Sequence, residues 1–163
     1  YTLSLHDALP ISYKKYDNTR KDVNNSWISR DPEIVKKYYE DKNCQFDFTI
    51  NGFYGLVQAI RYCCNPSNVA KIKKDIPILF VSGDNDPVGN NGEGVKKSYE
   101  IMKLIGSVDV TLKLYEGSRH EVLNEINKDE VYEYILDWLN KKTPSNYWLY
   151  FKNELFMYLL KFK

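Results

Sequence analysis

Two rhythms of apolar residues run along the chain, and one gives way to the other at Asp75. Residues 13–30 (YKKYDNTRKDVNNSW and the three that follow) are polar and basic without a period and read as exposed loop. Ile34, Val35, Tyr38 and Tyr39 then recur at helical spacing, with Asp31 placed to cap and Pro32 at the first helical position, which predicts a helix over 32–41. Cys44–Thr49 reads as extended. Phe53, Leu56, Val57 and Ile60 predict a second helix over 51–64, ended by Pro66, and a short helical turn is expected through Val69–Ile72. Nothing before Asp75 supplies a pair of strands.

Downstream the pattern is that of an α/β unit. Ile76-Pro77-Ile78-Leu79-Phe80-Val81-Ser82 is a short apolar run stopped by Gly83, the signature of a strand buried on both faces. Glu93–Ile105 is amphipathic through Val95, Met102 and Ile105 and closes on Gly106. Val108, Val110, Leu112 and Leu114 alternate through a second strand. A last helix is expected from Lys128 to Asn140, with Asn127 as cap, Glu130 three residues on, and Val131, Ile135, Trp138 and Leu139 facing inward. Strand, helix, strand, helix implies a parallel crossover and hence the α/β class. Two parallel strands alone make an incomplete sheet.

Composition narrows the partners rather than the fold. The 163 residues are 43% apolar and 28% charged, and 23 Lys plus Arg face 22 Asp plus Glu. That near balance leaves no electrostatic footprint for nucleic acid, and no run is long enough to span a bilayer. Three cysteines, Cys44, Cys63 and Cys64, lack metal-ligand spacing, and the adjacent pair does not readily bridge, so reduced, mostly structural thiols and no metal or cofactor are expected. The two ends need separate treatment. Residues 1–11, YTLSLHDALPI, are identical to one reading frame of a common short-read sequencing adapter, and are read as an artefact with Ser12 at the junction. His6 and Asp7 fall inside it, which leaves His120 as the one histidine of the body. A signal peptide is not assessable on that reading, and a cytoplasmic location is the default. In the tail, residues 143–163, Phe, Tyr, Leu, Lys and Asn fill 15 of the 18 places from Asn146 on. Either translation through a frameshift in an AT-rich gene or an interfacial amphipathic segment accounts for it.

The chemistry-bearing residues lie just past the two strands, where open α/β sheets collect their functional groups. Asp84 and Asp86 follow the first, in SGDNDPVGNNGEG, and His120 follows the second, in YEGSRHEVLNE. Parallel neighbours set these loops side by side, and an Asp and a His so placed can form the acid–base half of a nucleophilic triad. Asp86 before Pro87 also suits a cap or turn; Asp84 reads as a turn residue, and Arg119 and Glu121 as solvated flanks. A calcium loop counted from Asp84 fails, because Val88 and Val95 occupy ligand positions five and twelve. The Gly89, Gly92, Gly94 spacing is not a dinucleotide fingerprint.

Residues 75–139, through DIPILFVSGDNDPVG and VTLKLYEGSRHEVLNE, resemble the C-terminal part of an α/β-hydrolase of the monoacylglycerol lipase, lysophospholipase and serine aminopeptidase-like group. The resemblance implies a partial hydrolase fold: residues 12–74 as the end of a cap domain with linker, and residues 75–142 as the last two parallel strands with their helices. It implies Asp86 as the acid and His120 as the base, in the order of a Ser…Asp…His triad. The chain departs from the family pattern in having no Gly-x-Ser-x-Gly: Ser82, Ser107 and Ser118 each carry one flanking Gly and none has an elbow context. The family's nucleophile and oxyanion loop lie upstream of the cap. The expectation is therefore a fragment of a serine hydrolase cleaving lipid-like acyl esters or lysolipids, inert as it stands, with a membrane surface relevant only as a source of substrate. The alternative from another class is a non-catalytic α/β binding domain in which Asp86 and His120 merely share a loop surface.

Overall fold

Pro77 decides where the sheet begins. Lacking an N–H it cannot donate to a ladder, so the first strand, β1, runs over Ile78–Gly83 rather than from Ile76, with Ile78 N donating to Asp109 O at 2.9 Å. The computed structural model describes residues 14–17, 21–45 and 48–142, so the adapter-like residues 1–11 and the tail 143–163 lie outside the described residues. Strand β2 (Val110–Tyr115) pairs with β1 in parallel, Ile78 opposite Val110 through Gly83 opposite Tyr115. Both strands therefore end at the same level, and the loops that follow leave the sheet together.

Five helices are described: α1 (Pro32–Glu40), α2 (Ile50–Cys63), α3 (Pro66–Val69), α4 (Glu93–Leu104) and α5 (Lys128–Lys142). The cap expected at Asp31 forms: it accepts from Glu33 N and Ile34 N at the start of α1. Thr49, read from the sequence only as the end of an extended stretch, caps α2, its Oγ1 accepting from Gly52 N. Gly106, at φ +90°, closes α4: its N–H reaches Lys103 O and that of Ser107 reaches Met102 O, a paired C-terminal stop that needs a left-handed residue. The chain divides into two compact units at Ile126–Asn127. In the first, α4 packs against both strands. In the second, α5 has Val131 buried and Ile135, Trp138 and Leu139 half-buried, with Asn127 Nδ2 on Glu130 Oε2 at 3.1 Å. Among the described residues no helix is long and apolar enough to cross a membrane.

Several sequence expectations are corrected. Cys44, expected to open an extended stretch through Thr49, instead closes a 3₁₀ turn over Lys42–Cys44, because Asp41 caps again directly after α1, accepting from Asn43 N at 2.8 Å; residues 46 and 47 of that stretch lie outside the described residues. The helix expected at Val69–Ile72 lies three residues earlier, since Asn65 caps Ser67 N and Pro66 takes the first helical position. The supposedly exposed loop up to Arg30 contains a 3₁₀ turn at Val23–Asn25 and four buried residues, Tyr16, Ser26, Ile28 and Ser29. Strand β1 is only half-buried from Ile78 to Val81, not covered on both faces. Helix α2 forms where its periodicity places it, yet Leu56, Val57 and Ile60 on its apolar stripe are exposed. Periodicity shows which face a helix can bury but not what covers it. Cys63 and Cys64 are exposed and free, so packing does not account for them.

Gly83 is a tight point of the fold. A Cβ there would stand 2.0 Å from Ser118 O, so only glycine lets the loop after β2 lie on the end of β1. Gly83→Ala is expected to cost about 3 kcal/mol or more, beyond ordinary overpacking because backbone has to move. A urea-melt difference below about 1 kcal/mol would contradict this contact. Cysteine reactivity gives a second check. Desolvation of the half-buried Cys44, with Asp41 beside it, pushes that thiol up, so a smaller thiolate fraction is present at mildly alkaline pH. Cys63 and Cys64 are expected to alkylate before Cys44, as peptide mapping after brief iodoacetamide treatment would read.

Candidate active site

The two loops are laced together before either presents a side chain. Asp84 N donates to Tyr115 O at 3.1 Å, extending the ladder by one bond, and Asn85 N donates to Ser118 O at 3.0 Å. Asp84 itself is the turn residue expected: its Oδ1 accepts from Gly117 N at 2.7 Å, tying one loop to the other. The backbone then turns through Asn90 and Asn91 at φ 51° and 53° and Gly92 at φ +86°, three left-handed residues that deliver the chain into α4.

Within this frame Asp86 and His120 meet. His120 Nδ1 lies 3.1 Å from Asp86 Oδ1 and 3.2 Å from Oδ2. The acid is the buried member, its side chain 9% exposed against 39% for the imidazole. Pro87 confines the Asp86 backbone, and Asp86 Oδ1 also accepts from Val88 N at 2.9 Å, which fixes the carboxylate. A carboxylate facing Nδ1 favours the tautomer with its proton there and leaves the Nε2 lone pair free to take one. No described residue bonds Nε2. Trp27 flanks the imidazole, with ring centroids 5.1 Å apart, and its carbonyl accepts from His120 N at 3.3 Å.

None of the three serines, Ser82, Ser107 and Ser118, bonds Nε2: Ser82 Oγ bonds Gly83 O, Ser118 Oγ accepts from Arg30 Nη2 at 2.9 Å, and Ser107 Oγ is buried without a partner among the described residues.

The flanking residues differ from expectation. Arg119 is not solvated: its Nη1 donates to the carbonyls of Ser26, Ser29 and Asn24, and its guanidinium lies 5.2 Å over the Tyr16 ring. Glu121 is half-buried, donates its N–H to Ile28 O at 2.8 Å and accepts from Asn124 Nδ2. Sequence reasoning passed over Glu125 and Arg30. Glu125 is fully buried and accepts from Arg30 N, Arg30 Nε, Arg119 N and Ile126 N, the Nε contact being 2.9 Å. Exposed pairs such as Lys96–Glu93 are screened by solvent and contribute little, whereas stripping the partner from a buried carboxylate costs about 3–5 kcal/mol. Removing Arg30 from Glu125 is therefore costlier than breaking any exposed pair described, because it leaves a buried charge uncompensated. A lone Glu two residues after a Val-Leu pair, inside the motif that holds His120, was the available signal.

With the geometry established, the chain can be set beside known proteins. A family model described as serine aminopeptidase, S33, matches residues 4–127. The chain is 31% identical over 116 residues to a monoacylglycerol lipase of Mycolicibacterium smegmatis, covering 69% of this chain and 38% of that protein. It is 27% identical over 118 residues to an uncharacterised abhydrolase domain-containing protein of Dictyostelium discoideum, 72% of this chain but 12% of the relative. A solved thermostable carboxyl esterase from Bacillus coagulans, in complex with glycerol, superposes with a TM-score of 0.72 at 31% identity over 84% of this chain and 44% of its own. The chain thus spans less than half the length of these relatives, and its fold is a part of the α/β-hydrolase fold.

Arg119→Ala removes three bonds from a charged donor and a ring contact, so a loss of about 2–4 kcal/mol in a urea melt is expected. A change within about 0.5 kcal/mol, typical of a solvated surface residue, would restore the flank reading.

Proposed function

The chain belongs to the serine aminopeptidase, S33, family of α/β-hydrolases, and from that membership we propose that it carries the acid and base of a serine ester hydrolase whose nucleophile lies upstream. The observation that carries the reading is the Asp86–His120 pair: a buried carboxylate on Nδ1 of an imidazole whose Nε2 is bonded by no described residue, at the ends of two parallel strands. In the reaction, His120 Nε2 takes the proton of a serine hydroxyl as its Oγ adds to the ester carbonyl. The imidazolium, held by Asp86, returns that proton to the departing alcohol, and water then cleaves the acyl-enzyme by the same exchange. Lipid-like acyl esters such as monoacylglycerols or lysolipids are the substrate class, a choice supported by the lipase and esterase relatives.

On this reading residues 12–74 are the end of a cap with its linker, residues 75–142 are the last two strand–helix units, and residues 1–11 are adapter. The chain has no Gly-x-Ser-x-Gly, so it is inert alone. The competing reading, a non-catalytic binding domain, draws on that same missing motif.

Two experiments separate them. Extending the source sequence upstream is expected to reveal Gly-x-Ser-x-Gly after a strand; an intact upstream region without a nucleophile contradicts the enzyme. The full-length protein is expected to hydrolyse p-nitrophenyl esters, with kcat falling about 10⁴-fold in Asp86→Asn and at least as far in His120→Ala. Hydrolysis by the present chain, abolished by His120→Ala, would contradict its inertness.

A further inference from the structure

Every residue from Ser118 to Glu121 is tethered to the short segment Ser26–Arg30. Ser118 Oγ accepts from Arg30 Nη2, Arg119 reaches the Ser26 and Ser29 carbonyls, His120 N donates to Trp27 O, and Glu121 N donates to Ile28 O. Glu125 ties the two stretches from beneath, because its Oε1 accepts from both Arg30 N and Arg119 N while its Oε2 takes Arg30 Nε. One guanidinium and one buried carboxylate thus hold the two residues immediately before His120. The root of the loop has other anchors, in Asp84 on Gly117 N and Asn85 N on Ser118 O. What the Arg30–Glu125 pair adds is the path of the chain one residue before the imidazole. An acid–base pair functions only when held within about half an ångström of its working geometry.

We propose that Arg30 and Glu125 are positioning residues for the base, fixing the loop so that His120 Nδ1 stays on Asp86. The proposal rests on the reading of His120 as the base. A lysine at position 30 would keep the charge but lose the fork that reaches Glu125 and Ser118 together. A glutamine at position 125 would keep the shape while turning an amide N–H₂ toward donors.

The test is nitrogen-15 NMR of the His120 imidazole in the chain as it stands, with His6→Gln to separate the second histidine, alongside circular-dichroism melts. The wild type is expected to show the Nδ1–H tautomer with a slowly exchanging ring proton. Glu125→Gln and Arg30→Lys are expected to speed that exchange about tenfold, equivalent to making local opening about 1.4 kcal/mol easier. Thr49→Ala, which removes the cap of α2 away from the loop, is expected to lower the melting temperature and leave the His120 signals unchanged. Folded Gln and Lys variants with wild-type His120 exchange would overturn the proposal. If both fail to fold, Ser118→Ala removes only the hydroxyl that receives Arg30 Nη2; faster exchange supports the clamp and unchanged exchange overturns it. A wild type without the Nδ1–H signature would instead overturn the Asp86–His120 pairing itself.

Discussion

The approach of the Ser118 carbonyl to the α-carbon of Gly83 is the constraint on which the rest depends. Parallel register brings the ends of β1 and β2 level, but level ends only place two loops nearby. The missing side chain at Gly83 lets the second loop lie on the first strand, and the bonds from Asn85 N to Ser118 O and from Gly117 N to Asp84 Oδ1 follow from that contact. Asp86 lies one residue past the Asn85 anchor and His120 two past Ser118. A one-residue slip would turn every strand side chain to the opposite face and separate them.

The site is held mainly by polar groups. Among the described residues before Asn127 the buried apolar side chains are few, Tyr16, Ile28, Val35, Pro87 and Tyr115, while Ser26, Ser29, Ser82, Asp86, Ser107, Ser118 and Glu125 are buried as well. Half-buried strands and an exposed α2 contribute little area around the loops. Burying a polar group is costly unless it is paired, and around the loops pairing is dense: Ser29 and Ser82 hydroxyls on backbone carbonyls, Ser118 on a guanidinium, one carboxylate on four donors, another guanidinium on three carbonyls. Such a network specifies a unique geometry more sharply than apolar packing does, which suits a pair that must keep hydrogen-bond distance.

Local signals in the sequence were legible where one residue determines the outcome. Asp31-Pro32, Gly106 and the apolar run before Gly83 each marked an element end to within two residues, because capping, left-handed φ and ladder donation are decided locally. The meeting of Asp86 and His120 was legible as well, since parallel neighbouring strands that end level set the loops after them side by side. The partners that hold them were not. Trp27 and Arg30 sit in a stretch whose polar composition reads as solvated loop, and Arg119 carries a charge that ordinarily faces water. Their burial depends on chain segments roughly ninety residues apart, which no local period records. The exposure of Leu56, Val57 and Ile60 was unreadable for the mirror reason: an apolar stripe announces a face and leaves its cover unspecified.

The central claim, that this chain is the acid–base half of a serine hydrolase, is tested most directly by an experimental structure of the full-length protein. A serine Oγ within about 2.6–3.2 Å of His120 Nε2, with Asp86 on Nδ1, is the expected result. A full-length structure in which His120 Nε2 faces no serine, or in which Asp86 and His120 part, would contradict it.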